Sequence, residues 1–149
     1  MGEFYTRKRL RLPNDRELSN QMYFITICVQ NREKCLCTII SAEQEDELPR
    51  CVLSKEGTIV ERYIQSIPGL DRYVIMPNHI HLIVKNAEGE NISSKIRSFK
   101  TLSTKNIGRS IWQRSFYDHA IRNEQDYLTR CRYIEENPIK WSLDEYYQT

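Results

Sequence analysis

Hydrophobic residues along the chain either form apolar runs or recur at the spacing of a helix. An almost continuous apolar run, rich in β-branched and aromatic residues, covers 22–29. Two further apolar runs cover 70–76 and 79–84, and a weaker one covers 115–121. Such runs are typical of strands with little polar surface, so we expect four strands. A Pro-Asn pair separates the second and third runs, which predicts that these two strands pair across a tight turn.

Three other segments are expected to form helices. The first, 58–67, carries apolar residues at helical spacing and is closed by a Pro-Gly pair. Asn91, or one of the serines after it, is a candidate cap for a second helix that runs to about Ser103. Asn123, followed three residues later by Asp126, forms a variant capping box that opens the last helix.

The elements therefore follow the order β, α, β, β, α, β, α. The first six match an α+β, ferredoxin-like split βαβ arrangement (βαββαβ) with an antiparallel sheet, and a C-terminal helix follows. We expect the acidic stretch 43–50 to be an exposed connection or the end of a helix. A chain of 149 residues suits one domain, 1–149, in which 1–20 form a basic N-terminal arm.

The net charge is only +2, but the charges are segregated along the chain. Basic residues cluster in the arm, and no acidic residue occurs between Asn91 and Tyr117. The cations that we expect to meet phosphate groups are Arg7, Lys8, Arg9, Lys95, Arg97, Lys100, Lys105 and Arg114. A solvated helix face with a chance imbalance of charge is the alternative interpretation.

Aromatic residues accompany this basic stretch. Trp112, Phe116 and Tyr117 could stack on unpaired bases, which is how many proteins hold single-stranded nucleic acid. Packing in the core is the alternative for Trp112 and Phe116, and it is the favoured interpretation for Phe116.

The sequence also limits where the protein acts. No apolar run is long enough for a transmembrane helix, and no apolar segment follows the basic N-terminus as in a secretory signal. We therefore expect a cytoplasmic protein. The five cysteines have irregular spacing, which predicts reduced thiols rather than a zinc site or a disulfide framework.

Two of the three histidines, His79 and His81, lie on one predicted strand. Side chains at positions i and i+2 of a strand point to the same face, so both imidazoles could bind one metal ion. Ile80 would then point to the opposite, apolar face. The alternative is a pair of half-buried strand histidines, but two polar rings in so apolar a strand are costly unless they have partners.

The last predicted helix contains Tyr133 and Asn137, which are four residues apart and therefore share a face. A phenol oxygen is a competent covalent nucleophile when its proton is removed or its charge is stabilised. An amide oxygen one turn later could complete a metal shell formed by two imidazoles. Nine tyrosines are present and most must be structural, so the helix by itself does not identify a nucleophile.

Several blocks of sequence together resemble one family of enzymes. The block 73–84, Tyr-Val-Ile-Met-Pro-Asn-His-Ile-His-Leu-Ile-Val, is similar to the HUH strand of the single-tyrosine transposases. The blocks 112–123 and 133–141, together with the basic opening 7–12 and the strand 23–28, resemble the REP-associated tyrosine transposases of bacteria in order and spacing. The likeness covers nearly the whole chain.

The resemblance implies a metal-dependent endonuclease and strand transferase that acts on single-stranded or hairpin-forming repeat DNA. In that family's pattern Tyr133 attacks the DNA backbone, forms a 5′-phosphotyrosine bond and frees a 3′-hydroxyl. His79 and His81 would bind Mg²⁺ or Mn²⁺, with Asn137 as a further ligand. His119 would lie near the active site, in a catalytic or supporting role that the sequence does not define. The resemblance leaves open whether the protein is a monomer or a homodimer.

Two other functions are compatible with the same residues. One is a catalytically silent, domesticated relative that holds hairpin DNA without cutting it. The other is an unrelated metallohydrolase in which the histidine pair activates water, so that no covalent link to Tyr133 forms.

Overall fold

The structure is a computed structural model that describes residues 21–40 and 48–141. Within those residues the chain forms six strands and three α-helices. In chain order they are β1 (Gln21–Cys28), β2 (Cys37–Ile40), β3 (Arg50–Leu53), α1 (Lys55–Ile64), β4 (Leu70–Met76), β5 (His79–Asn86), α2 (Ile92–Ile107), β6 (Tyr117–Ile121) and α3 (Glu124–Glu136). The basic arm, with Arg7, Lys8 and Arg9, lies outside the described residues.

Four of the strands form one antiparallel sheet in the order β4-β5-β1-β6. The strand β5 lies between β1 and β4, which α1 connects, so these elements form a split βαβ unit. The strand β6 pairs with the other side of β1 and leaves β4 and β6 as the two edges. This topology confirms the ferredoxin-like arrangement that the order of the predicted elements indicates.

The alternation of side chains along the central strands divides the core into two layers. On one face the strands pack with α1 and α2, and the fully buried residues include Ile25, Ile27, Ile80, Leu82, Val84 and Ile96. On the other face α3 covers a smaller cluster of Phe24, Ile83, Ile121, Cys131 and Ile134. Because His79 and His81 alternate with Ile80 and Leu82 along β5, the two histidines belong to the face that α3 covers.

Polar side chains set where the three helices begin. Ser54, Asn91 and Asn123 each accept a hydrogen bond from the backbone N–H three residues later. The helix α2 ends at Gly108, whose φ of 96° lies in the left-handed region that favours glycine. As a result α1 begins three residues earlier than the apolar spacing predicts, and α2 continues four residues beyond Ser103.

A short hairpin of β2 and β3 was not predicted from the sequence. Its strands have four residues each and pair from Cys37 with Leu53 to Ile40 with Arg50. Neither strand forms a long apolar run, because exposed residues alternate with buried or partly buried ones in each. The expectation of a connection or helix end over 43–50 is wrong at Arg50, which begins β3, while 41–47 lie outside the described residues.

Two further features concern membrane-spanning helices and the cysteines. In the described part of the chain, no helix combines the length and the apolar character that crossing a bilayer requires. All five cysteines lie in that part as free thiols, and Cys28, Cys37 and Cys131 are buried.

Candidate active site

His79 and His81 form a buried pair on β5. Neither residue has exposed surface, and their ring centroids are 4.7 Å apart with the planes at 73°. They lie opposite Cys28 and Thr26 of β1, at the end of the sheet where β4 turns into β5. The strand therefore presents two neighbouring imidazoles to the face that α3 covers.

The Nδ1 atom of each imidazole meets a polar side chain. His79 Nδ1 donates to Asn78 Oδ1 at 2.8 Å, and His81 Nδ1 lies 2.8 Å from Thr26 Oγ1. With its proton on Nδ1, His79 carries a lone pair on Nε2 that can bind a ligand. A hydrogen bond at one ring nitrogen that orients the other is the usual support of a metal-binding histidine.

Burial keeps both rings neutral. It lowers the pKa of His79 to about 3, a shift that the side chain of Asn137 opposes and the charge of Arg32 increases. Burial and the neighbouring His79 lower the pKa of His81 well below its ordinary value. Since a metal ion binds the neutral imidazole, both rings are already in the form that a ligand requires near neutral pH.

The helix α3 places Tyr133 against this pair. The Tyr133 ring lies edge-on to His81, with centroids 5.1 Å apart, and edge-on to Phe24 at 5.9 Å. The residue is half-buried, so its ring is packed while part of its surface stays accessible. Trp141, just beyond α3, brings another ring to 6.2 Å from His79. Packing of α3 on the sheet thus brings the predicted nucleophile to the predicted metal ligands.

Asn137 follows Tyr133 by one helical turn and is also buried. Its Nδ2 donates to the backbone oxygen of Tyr133 at 3.2 Å. Its Oδ1 makes no hydrogen bond of ordinary geometry with any described residue, although the amide lies close enough to His79 to affect that pKa. A buried carbonyl oxygen without a hydrogen bond is costly, and its place beside the imidazoles fits a metal ligand.

Across 21–40 and 48–141, no three His, Cys, Asp or Glu side chains are gathered in a way that could hold a metal ion. An ion at the candidate site would therefore be held by two imidazoles and one amide oxygen. Imidazole and amide ligands of this kind suit Mn²⁺, and Mg²⁺ would take its remaining oxygen ligands from water or phosphate. The residues present fit the divalent ion that the sequence led us to expect.

His119 lies on β6 and contacts α3 rather than the histidine pair. Its Nε2 is 2.8 Å from Asp126 Oδ2 and 3.0 Å from Arg130 Nη2, and Arg130 Nε donates to Asp126 Oδ1. Burial by itself would raise the pKa of Asp126, but the hydrogen bonds and charges around the carboxylate lower it overall. Phe24 pairs with His119 across the sheet and stacks on His81, so it stands between the two histidines.

Some of the cations expected to meet DNA bind the protein's own backbone, and others are exposed. Lys95 donates to two backbone carbonyls and pairs with Glu90 at 2.8 Å, and Lys100 donates to the three carbonyls of 113–115. Both lysines therefore have a structural role of their own. Three others of these cations, Arg97, Lys105 and Arg114, are exposed. Their side chains have no hydrogen bond or ion pair with any described residue.

The aromatic residues of the basic stretch divide between core and surface. Trp112 is buried and donates Nε1–H to Ser103 Oγ at 3.0 Å, so it packs in the core and does not present its ring to solvent. Phe116 is half-buried and packs against the core, as favoured from the sequence, yet its ring also lines a surface cavity. Tyr117 is half-buried on the edge strand β6.

Sequence reasoning missed the residues that support the site. Thr26 places an aliphatic hydroxyl in an apolar strand, which is a signal that could have been used, because such a residue needs a partner. Asn78 was interpreted only as a turn residue, although it also holds His79. Nothing in the sequence indicates that the guanidinium of Arg130, only 4% exposed, would lie 5.6 Å from the centre of the Phe24 ring.

Comparison with known proteins adds three findings. The chain is 30% identical over 174 aligned positions to an uncharacterized protein of Haemophilus influenzae, which covers 95% of this chain and 93% of that protein. It is 40% identical over 73 residues to the REP-associated tyrosine transposase of Escherichia coli, which covers 48% of this chain and 44% of the relative. No family model matches the chain.

The fold is also found in a solved structure. A REP-associated tyrosine transposase bound to a REP hairpin superposes with a TM-score of 0.67 and 24% sequence identity. The match covers 94% of this chain and 76% of the solved one. At this identity the likeness shows a shared fold.

Proposed function

Because the chain belongs to the REP-associated tyrosine transposases, we propose that it cleaves and rejoins single strands of hairpin-forming repeat DNA through a covalent bond to Tyr133. In this proposal His79, His81 and Asn137 hold a divalent ion, Mg²⁺ or Mn²⁺. The observation that carries the proposal is the meeting of the Tyr133 ring with His81, 5.1 Å between centroids, in a site that also contains Asn137.

The covalent step follows from the chemistry of a phenol and a phosphodiester. The Oη atom of Tyr133 loses its proton and attacks phosphorus, and a bond forms between that oxygen and the phosphate, which stays attached to the 5′ oxygen of the downstream strand. The bond from phosphorus to the 3′ oxygen breaks, and that oxygen takes up a proton to become a 3′-hydroxyl. One phosphoester replaces another, so a second 3′-hydroxyl can reverse the reaction and rejoin strands without an external energy source.

The side chains around Tyr133 serve this step in three ways. The neutral rings of His79 and His81, with the Asn137 oxygen, supply the ligand set, and Asn78 and Thr26 orient the rings. A bound divalent cation supplies polarisation of the scissile phosphate and stabilises the developing negative charge. The apolar surroundings strengthen these electrostatic effects because they exclude water.

The expected partner is single-stranded or hairpin DNA, approached by the exposed cations Arg97, Lys105 and Arg114 and by the arm residues Arg7, Lys8 and Arg9. Such contacts make affinity fall as salt is raised. We also propose that the protein acts in the cytoplasm, where its DNA is found. Sedimentation with and without DNA would decide between a monomer and a homodimer.

The proposal is tested by incubating the protein with Mn²⁺ and a labelled REP hairpin that carries unpaired ends, followed by denaturing electrophoresis. We expect a labelled band at the position of a protein–DNA adduct. Tyr133→Phe should abolish the band and keep DNA binding. Tyr127→Phe, a substitution on the same helix, is the matched control and should form the adduct.

The same experiment separates the alternative functions. A chain that binds the hairpin but forms neither adduct nor cleaved product would be a silent binding protein. Cleavage that persists in Tyr133→Phe with no linkage to protein would indicate hydrolysis by activated water. Either result would contradict the covalent mechanism.

A further inference from the structure

A cavity of about 370 Å³ lies on the side of the sheet that α1 and α2 cover. It opens between α2 and the residues that lead into β6, and its wall includes Arg97, Lys100, Arg114, Ser115, Phe116 and Asp118. Its volume is within the lower part of the range of small-ligand sites. A cavity of this size can take one base with its sugar.

Lys100 fixes the wall of this cavity. Its Nζ donates to the backbone oxygens of Gln113, Arg114 and Ser115 at 2.9, 3.2 and 3.1 Å. On the other side of the same segment, Gln113 N donates to Cys28 O at 2.8 Å. The residues before β6 are thus tied both to α2 and to β1. A cavity held in shape in this way needs little ordering when a ligand binds.

The chemistry of the wall matches the parts of a nucleotide. Arg97 and Arg114 are exposed and have no hydrogen bond or ion pair through their side chains with any residue in 21–40 or 48–141. Guanidinium groups bind phosphate through paired N–H donors. Phe116 adds an aromatic surface on which a base can stack, and the Asp118 carboxylate can accept a hydrogen bond from a base.

The cavity and the candidate active site lie on opposite faces of the sheet, near its edge strand β6. Thr26 of β1 pairs with His81 on one side and with Tyr117 on the other. Adjacent strands are about 4.8 Å apart, so Tyr117 is about 10 Å from His81 on the same face. Asp118, the next residue, points to the opposite face and lines the cavity. Because β6 is an edge strand, a DNA strand can pass over it from one place to the other.

We propose that this cavity binds one unpaired nucleotide of the DNA strand that is cleaved at Tyr133, with a phosphate on Arg97 and Arg114 and the base against Phe116. The assignment rests on the proposed function, since it takes DNA as the substrate. It gives the two faces of the sheet separate tasks. The face covered by α3 breaks the backbone, and the cavity holds an unpaired nucleotide a few positions away, which sets where along the strand the break occurs.

The test measures binding in a Tyr133→Phe background, so that cleavage plays no part. Fluorescence anisotropy would follow a REP hairpin with short unpaired extensions at both ends, and the same stem without extensions. Arg97→Ala and Arg114→Ala should each weaken binding of the extended probe about tenfold, the size of one stacking or phosphate contact. On the trimmed stem each should lose clearly less affinity than on the extended probe. Arg62→Ala is the control, because it is an exposed arginine of α1 without a side-chain partner in the described ranges, and its effect on the two probes should be equal.

A further variant tests the contact between the base and Phe116. Phe116→Leu keeps an apolar wall but removes the aromatic surface, so it should weaken binding of the extended probe and leave the trimmed stem unaffected. Equal losses on both probes for the arginine variants, or no loss on the extended probe, would overturn the assignment. Thermal unfolding of each variant near the wild-type temperature would show that the losses do not come from misfolding.

Failure of this proposal is distinguishable from failure of the proposed function. Adduct formation is measured separately with Tyr133 in place. An active enzyme whose binding does not depend on Arg97 and Arg114 refutes the cavity assignment alone. An inactive chain whose binding of unpaired ends does depend on them supports the cavity and refutes the cleavage mechanism.

Discussion

The ring of Tyr133 packs edge-on against the ring of His81, with centroids 5.1 Å apart and planes at 68°. One residue comes from the last helix and the other from a central strand, so the contact exists only in the folded chain. Phe24, on the neighbouring strand β1, packs against both rings and helps to set the distance between them. The group proposed to attack DNA is therefore next to the pair proposed to hold the ion before any substrate is present.

Replacing Thr26 with valine should weaken binding of Mn²⁺ about 10- to 100-fold and leave the fold intact. Valine keeps the shape of the side chain but loses the contact between Oγ1 and His81 Nδ1, 2.8 Å in length. Calorimetric titration with Mn²⁺ measures the effect, and Thr38→Val, at an exposed position of β2, is the matched control. Wild-type affinity in Thr26→Val would argue against a metal at His81.

Acid should destabilise the metal-free protein through the histidine pair. The folded rings stay neutral because burial lowers their pKa, to about 3 for His79, whereas in the unfolded chain histidine takes up a proton below its ordinary pKa of 6.5. At a pH between the folded and the unfolded pKa, the unfolded state binds more protons than the folded state. The free energy of unfolding therefore falls as the pH falls. From about pH 7 to about pH 5 the loss is about 2 kcal/mol for His79, and His81 adds a loss of the same sign.

Urea unfolding with a chelator present measures this pH dependence. His81→Asn removes one of the two rings and should therefore reduce the pH dependence. A free energy of unfolding that stays constant over that pH range would contradict the burial of two neutral rings.

Substitution of His119 should affect stability more than catalysis. His119→Ala or Asp126→Asn leaves the buried Arg130 with fewer compensating partners, which should lower the free energy of unfolding by about 2 kcal/mol. The rate of adduct formation per folded molecule should stay near that of Gln125→Ala, an exposed control on the same helix. A large loss of rate in a stable His119→Ala protein would instead assign His119 a direct part in the reaction.

The fold could be predicted where periodicity is strong. The strands β1, β4 and β5 are long apolar runs, and helix caps such as Asn123 mark where the helices begin, so the order of elements and the sheet topology followed. The hairpin of β2 and β3 was missed because a four-residue strand with mixed burial has no clear period. Its pairing depends on tertiary contacts, such as those of Cys37 and Cys51 with Ile75 O, that a local pattern does not contain.

The sequence picks out the residues that we propose as nucleophile and metal ligands, but not the side chains that contact them. The spacing of His79 and His81 and that of Tyr133 and Asn137 are local properties of a strand and a helix. The contacts that Thr26, Phe24 and Arg130 make join separate elements, so they appear only when the chain is folded. Charge alone also does not show that Lys95 and Lys100 bind the protein's own carbonyls, and their contact with DNA stays a prediction.

The central claim is that one phenol of the last helix becomes joined to DNA, and mass spectrometry of the digested adduct tests it most directly. Trypsin should cut after Arg132 and Lys140 and release residues 133–140, a peptide in which Tyr133 is the only tyrosine. The account predicts that this peptide carries the 5′-phosphate of the cleaved strand. A nucleotide found on the peptide that contains Tyr127, or on no peptide while cleavage proceeds, would contradict it.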